Sequence, residues 1–164
     1  MALSNFERMI ELADEVFAVK NDPNQLDVNE EVLDHLRKIH PATVSEYDNG
    51  HGPVAWVLVI PTTLALMNRF LHGEISEKEL YEQTPLGVKY DALYLCSAMV
   101  LEEYRRRGIT KKLTLAAINS IRADHPIQSL FVWTFSAEGV LASDALAKAV
   151  SLPLYHRAST AAVG

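Results

Sequence analysis

The sequence predicts an α/β domain with a mixed central sheet and helices on both of its faces. Three observations carry that prediction. Asn49-Gly50, a strong turn dipeptide, lies between two stretches rich in strand-forming residues, so an antiparallel hairpin is expected there. Ala92 to Val100 is almost continuously apolar and holds no Gly or Pro, the pattern of a strand buried on both faces. Beyond it, Ile109, Leu113, Ala116, Ala117 and Ile121 recur at helical spacing, and Leu130 to Thr134 is a further strand. Strand, helix and strand in that order make a parallel pair joined by a right-handed crossover, and the hairpin makes the sheet mixed.

Composition bounds the class. A chain of 164 residues fits one domain, spanning 1–164, and is long enough to bury a sizeable core. No apolar run approaches the roughly 20 residues that cross a bilayer, so no membrane role is expected. The opening MALSNFERMIELADE is acidic and amphipathic, unlike a secretory signal. Cys96 is the single cysteine, which rules out an internal disulfide and agrees with a cytoplasmic location. The net charge of −6 is unevenly spread. Residues 1–50 hold 4 basic and 11 acidic side chains, whereas residues 105–164 hold 8 basic and 3 acidic ones. A local positive patch on an acidic chain suits a small polyanion better than a nucleic acid.

The elements follow in order. Ser4 to Val19 reads as a helix with Phe6, Ile10, Ala13 and Phe17 on one face, broken by Asn21-Asp-Pro-Asn24. Asp27 or Asn29 caps a second helix, Glu30 to Ile39, which His40-Pro41 ends. Thr43 to Tyr47 and Val54 to Ile60 are the hairpin strands. In the second, Trp56, Leu58 and Ile60 share one face and Ala55, Val57 and Val59 the other; both are apolar, so this strand is central. Within Pro61 to Asp91, Thr62 to Leu71 and Ser76 to Gln83 look helical, and Ser76-Glu77-Lys78-Glu79 has capping-box spacing. Asp124-His-Pro126 is a turn. Ser143 is expected to cap a final helix, Asp144 to Val150, that stops before Pro153. Only Leu152 to Gly164 remain, so the C-terminal end is abbreviated.

Between the apolar strand and the next helix stands Val100-Leu-Glu-Glu-Tyr-Arg-Arg-Arg-Gly-Ile-Thr-Lys-Lys-Leu113. The first-turn N–H groups of that helix are unpaired and point back at the turn, where the dipole also favours negative charge. Gly108 lets the backbone approach a ligand, and Arg105, Arg106 and Arg107 can grip phosphate through paired hydrogen bonds. The residues alone fit an anion site and a solvated turn equally, since cations there oppose the helix dipole.

Val100-x-x-Glu103-Tyr104-Arg105-x-x-Gly108-Ile109-Thr110-x-x-Leu113 resembles motif A of the GCN5-related N-acetyltransferases. That pattern is a strand-closing valine, then Arg or Gln-x-x-Gly-x-Gly or Ala, then a helix. This chain departs at Thr110, where Gly or Ala is usual. The resemblance implies the acyl-coenzyme A N-acyltransferase fold, with 61–91 as a helical insertion between the family's third and fourth strands. That insertion, of about 25 to 30 residues, reads as a lid, an acceptor-binding element or a homodimer contact. The resemblance also implies acetyl-coenzyme A as acyl donor, its pantetheine and thioester met by main-chain groups of Met99 and Val100. The pyrophosphate would lie on N–H groups from Arg106 to Lys111, with Arg105, Arg107, Gly108, Ile109 and Thr110 in the same loop. The acceptor would be an amine of a small molecule or peptide.

The family's proton-transfer residues are not matched. Tyr94 to Met99 holds no carboxylate where many relatives carry a glutamate, and Ala145 to Val150 holds no tyrosine. A base would come from elsewhere, such as Glu46, His72 or Asp91, and Tyr155 is a substitute acid; otherwise the fold serves as a non-catalytic acyl-coenzyme A binding or regulatory module. No Gly-x-Gly-x-x-Gly, Gly-Lys-Ser/Thr or Gly-x-Ser-x-Gly occurs. The six histidines lack metal-ligand spacing, so no metal is expected. Glu102 and Glu103 are expected to pair with nearby cations.

Overall fold

The computed structural model describes residues 3–18, 29–134 and 136–158 and contains a five-stranded sheet of order β1-β2-β3-β4-β5. β1 (Val44–Asp48), β2 (Pro53–Thr62) and β3 (Ala92–Val100) pair antiparallel, and β4 (Ser129–Val132) and β5 (Leu154–His156) add in parallel. The expected mixed α/β architecture is present. The hairpin turns at Asn49-Gly50, with Gly50 at φ 97° and Asp48 Oδ1 accepting from the N–H groups of Gly50 and Gly52. β2 is buried along its length except at Trp56, as a central strand requires.

β2 and β3 are not in uniform register. Leu58 pairs with Ser97 but Val59 pairs with Leu95, so Cys96 is an extra residue bulged out of the ladder. A bulge changes which residues share a face. Tyr94 lies opposite Ile60, Ser97 opposite Leu58 and Met99 opposite Trp56, which puts all three on one face of the sheet. An unbroken strand would have put Cys96, Ala98 and Val100 there instead.

α1 (Asn5–Ala18) and α2 (Glu30–Ile39) precede the sheet. The Asn29 side chain caps α2 by accepting from the Val32 N–H, and Val32, Leu36 and Ile39 face the core. His40, only 5% exposed, closes the helix. Its Nδ1 accepts from the Ala42 N–H, so in the neutral ring Nε2 carries the proton and donates to Asp124 Oδ2 at 2.7 Å. That bond ties the end of α2 to the end of α5 (Ile109–Asp124), which packs across β1, β2 and β3.

α3 (Leu64–Leu71) and α4 (Glu77–Gln83) occupy the 61–91 segment. The Ser76–Glu79 capping box forms, and Asp91 Oδ1 caps α3 by accepting from the Leu64 N–H at 2.7 Å. The pair belongs to the core. Phe70 lies edge-on to Tyr94, Phe131 and Trp133, and Ile75 and Leu80 are fully covered.

One expectation at the C-terminal end is corrected. The last helix, α6 (Ala137–Val150), starts well before Asp144 and is capped by Ser136, whose Oγ accepts from the Gly139 N–H. Ser143 lies inside it and donates to the Gly139 carbonyl. Gly139 weakens the helical pattern of this first turn, while Ser143-Asp144 imitates a cap. After α6, β5 pairs with β4 from Leu154 to His156.

Candidate active site

The central feature is the place where β3 leaves β4. The two strands pair only from Ala92 to Tyr94 and from Ser129 to Phe131, whereas β3 continues to Val100. From Leu95 onward its edge on that side has no ladder partner among the described residues. Ala98 is exposed and Val100 half-buried. The parting begins beside the Cys96 bulge.

The loop at the end of this open edge has a defined shape. A single 3₁₀ turn, Glu102–Tyr104, leads into Arg105, after which Arg106 takes φ 64° and Gly108 takes φ 73°. Alternating left-handed residues with neighbours of ordinary conformation turns successive N–H groups toward one side, the concave arrangement that receives anions. α5 then begins with no side chain capping it, so its first N–H groups stay available. Arg105, Arg106, Arg107 and Lys111 are exposed around this concavity, with Ile109 and Thr110 half-buried. Nothing lies within 4 Å of the point where a Cβ at Gly108 would stand.

No protein-family profile matches the sequence, and no curated protein matches it. Among solved structures, the chain is similar to an aminoglycoside acetyltransferase from an uncultured soil metagenomic sample, in complex with trehalose. Identity is 18% over 89% of this chain and 82% of that one, with a TM-score of 0.48. It is similar to Chaetomium thermophilum Naa20 in complex with a bisubstrate analogue, at 18% identity, covering 77% of this chain and 60% of that one, TM-score 0.46. A third is AtaTR bound with AcCoA, at 14% identity, covering 76% and 77% of the two chains, TM-score 0.40.

Long-range contacts brace the loop. Arg8 of α1 makes a two-pronged pair with Glu103, at 2.5 and 2.7 Å. The Arg8 hydrogen bond is the main reason the Glu103 carboxyl falls to about 2. Glu103 therefore takes its partner from the start of the chain, not from the adjacent arginines as expected. Asn49 donates to Tyr104 Oη at 2.7 Å, and the Arg107 guanidinium lies 4.9 Å from the Tyr104 ring. A hollow of about 620 Å³ separates α1 from the loop, walled by Arg8, Glu11, Glu102 and Arg105 among others.

On the sheet face that carries Trp56 and Met99 lies a larger cleft of about 710 Å³. Phe6, Ile10 and Ala13 of α1 line it from one side and Leu33 of α2 from another. Val44, Trp56, Leu58 and Met99 form its sheet wall. Asp14, Glu30, Asp34 and Glu46 also line it, with Arg37 as the sole cation among the described residues, 3.6 Å from Asp34. Glu46, Trp56 and Met99 make one cross-strand row, and Trp56 Nε1 donates to Glu46 Oε1 at 2.8 Å. Met9, fully buried, is the core anchor of α1, while Phe6 and Ile10 are 56% and 43% exposed. The Phe17 side chain lies outside the described residues.

Of the three alternative bases, Glu46 alone lines this cleft. His72 is an exposed cap of α3, and Asp91 is committed to the start of α3. Tyr155 is exposed on β5 and lines neither hollow. The structure adds one carboxylate that sequence reasoning missed. Glu77, fully buried, accepts from Tyr94 Oη at 2.5 Å and faces Cys96 Sγ at 3.9 Å, beside the bulge. Burial, with the nearby Glu77 charge, holds the Tyr94 phenol well above its ordinary range. A first-turn glutamate in a capping box is ordinarily solvated; only the spacing to Leu80, one turn later, signals an inward face.

Proposed function

We propose that this protein transfers an acetyl group from acetyl-coenzyme A to the amine of a small molecule or peptide. The observation that carries the reading is the parting of β3 from β4 directly before a concave, arginine-rich loop. Main-chain groups of Met99 and Val100 on the open edge would pair with the pantetheine amides and polarise the thioester carbonyl. N–H groups from Arg106 to Lys111 would hold the pyrophosphate, with Gly108 allowing close approach and the Arg105 and Arg107 side chains adding charge.

The acceptor enters through the cleft whose sheet wall includes Met99. Its ammonium first loses a proton. The free nitrogen attacks the thioester carbon, a C–N bond forms, and the C–S bond breaks; the nitrogen gives up its second proton to water as the amide forms, and coenzyme A leaves as a thiolate that takes a proton from water. Glu46 is our base. β1 and β3 lie two strand spacings apart, about 10 Å, so the proton reaches Glu46 through water.

Thermal unfolding with acetyl-coenzyme A, coenzyme A and ATP tests the donor site. A ligand at about 100 times its dissociation constant adds about 2.7 kcal/mol, so both coenzymes should raise the midpoint and ATP should not. Arg105→Ala combined with Gly108→Val should abolish the rise. Release of free thiol across an amine panel then tests transfer. The absence of a carboxylate on Tyr94–Met99 and of a tyrosine in α6 favours the second reading, a non-catalytic acyl-coenzyme A module. Coenzyme binding without thiol release from any amine would select it.

A further inference from the structure

We infer that the accepted amine sits on an apolar body, as in an aryl or alkyl amine, and not on a polyhydroxylated or anionic one. This rests on the acceptor cleft proposed above and names what fills it. Three observations point the same way. First, α1 presents apolar residues in two directions: Met9 goes into the core, while Phe6 and Ile10 stand open to the cleft. Exposed apolar area of that kind is covered favourably by an apolar ligand. Second, Trp56 is half-buried and fixed. Its Nε1–H is used by Glu46, and Phe6 meets its ring edge-on at 6.1 Å. The π-face of an indole attracts an ammonium group that reaches it.

Third, the lining charges are one-sided. Among the described residues, Asp14, Glu30, Asp34 and Glu46 share the lining with one cation, Arg37, which already lies against Asp34. An anionic ligand would meet four carboxylates. A sugar amine carries hydroxyls all round, so those set against Phe6, Ile10, Leu33 and Leu58 would find no partner, and an unpaired buried polar group is costly. A cation with an aromatic or alkyl tail satisfies both kinds of wall.

Calorimetry on the full chain, with saturating coenzyme A, tests this directly. The probes are 2-phenylethylamine, the neutral 2-phenylethanol, anionic phenylacetate, and glucosamine as the hydroxylated amine. Phenylethylamine should bind at least roughly tenfold tighter than each of the others. Glu46→Gln with Asp34→Asn should remove most of its advantage over phenylethanol. Phe6→Ala, at an exposed position, should weaken phenylethylamine and phenylethanol alike and leave glucosamine unchanged. Equal or tighter binding of glucosamine, equal binding of amine and alcohol, or no binding by any probe overturns the inference. Coenzyme A binding, read in the same samples, separates the two proposals: a bound coenzyme with an indifferent cleft sinks only this one, and an amine bound without coenzyme sinks only the donor site.

Discussion

The loop after β3 and the cleft beside β2 are two halves of one candidate site, built by opposite means. The loop works through main-chain direction: left-handed Arg106 and Gly108, an uncapped helix start, and an open strand edge. Its side chains mostly brace it, as Arg8–Glu103 and Asn49–Tyr104 show. The cleft works through side chains gathered from α1, α2, β1, β2 and β3. A change of backbone conformation should therefore ruin the first half, and a change of one functional group the second.

The largest effect is expected at Gly108. Its φ of 73° suits glycine, and a branched side chain there costs about 1–2 kcal/mol of folding stability. Gly108→Val should also fill the open space where the ligand would approach and weaken acetyl-coenzyme A by roughly a hundredfold or more, about 2.7 kcal/mol at 25 °C. Calorimetry against acetyl-coenzyme A, with circular dichroism as a folding control, reads both parts. Unchanged coenzyme affinity would remove the loop from the site.

Next comes Glu46→Gln, which keeps the shape of the side chain and an acceptor for Trp56 while removing the base. Thiol release should fall about a hundredfold with coenzyme affinity unchanged. Equal loss of coenzyme affinity would mean that the halves are not separable and that the contrast drawn here is false.

A smaller effect is expected from the brace. The Glu103 carboxyl sits at about 2 in the folded chain against an ordinary 4.5. The unfolded chain thus binds more protons between those values, so the contribution of this carboxyl is complete above 4.5 and is lost as pH falls through about 2. Glu103→Gln should flatten the acid limb of a melting-temperature profile, most visibly at low salt because the pair is exposed. An acid limb identical to that of the parent chain would show that the pair contributes nothing.

The same contrast decides what could be read from the sequence. Ala92–Val100, Glu30–Ile39 and the Ser76 capping box are local patterns and appear where the residues indicate. So does the loop, because glycine and arginine at fixed spacing specify a conformation and a charge. The Cys96 bulge was not legible, since it depends on how β3 registers against β2. Periodicity showed that Phe6 and Ile10 share a face but not that this face opens on a cleft. Glu77 was hidden because its position in a capping box has a sufficient solvated explanation. Local geometry was legible and assembly was not.

Ser97 gives the smallest expected effect and the sharpest test of the bulge. Its Oγ is buried and finds no hydrogen-bond partner among the described residues. It lies opposite Leu58, in the row between Tyr94 and Met99, because of the bulge. A buried hydroxyl without a partner lowers stability, so Ser97→Ala should leave the melting temperature unchanged or raise it by the equivalent of about 1 kcal/mol. If that hydroxyl serves the reacting thioester next to Met99, thiol release should fall in the same variant. Stability and activity would then move in opposite directions, as expected where a polar group is kept unpaired for a ligand. A loss of stability instead would mean that Ser97 is paired in the folded chain and that the bulge merely fits the sheet together.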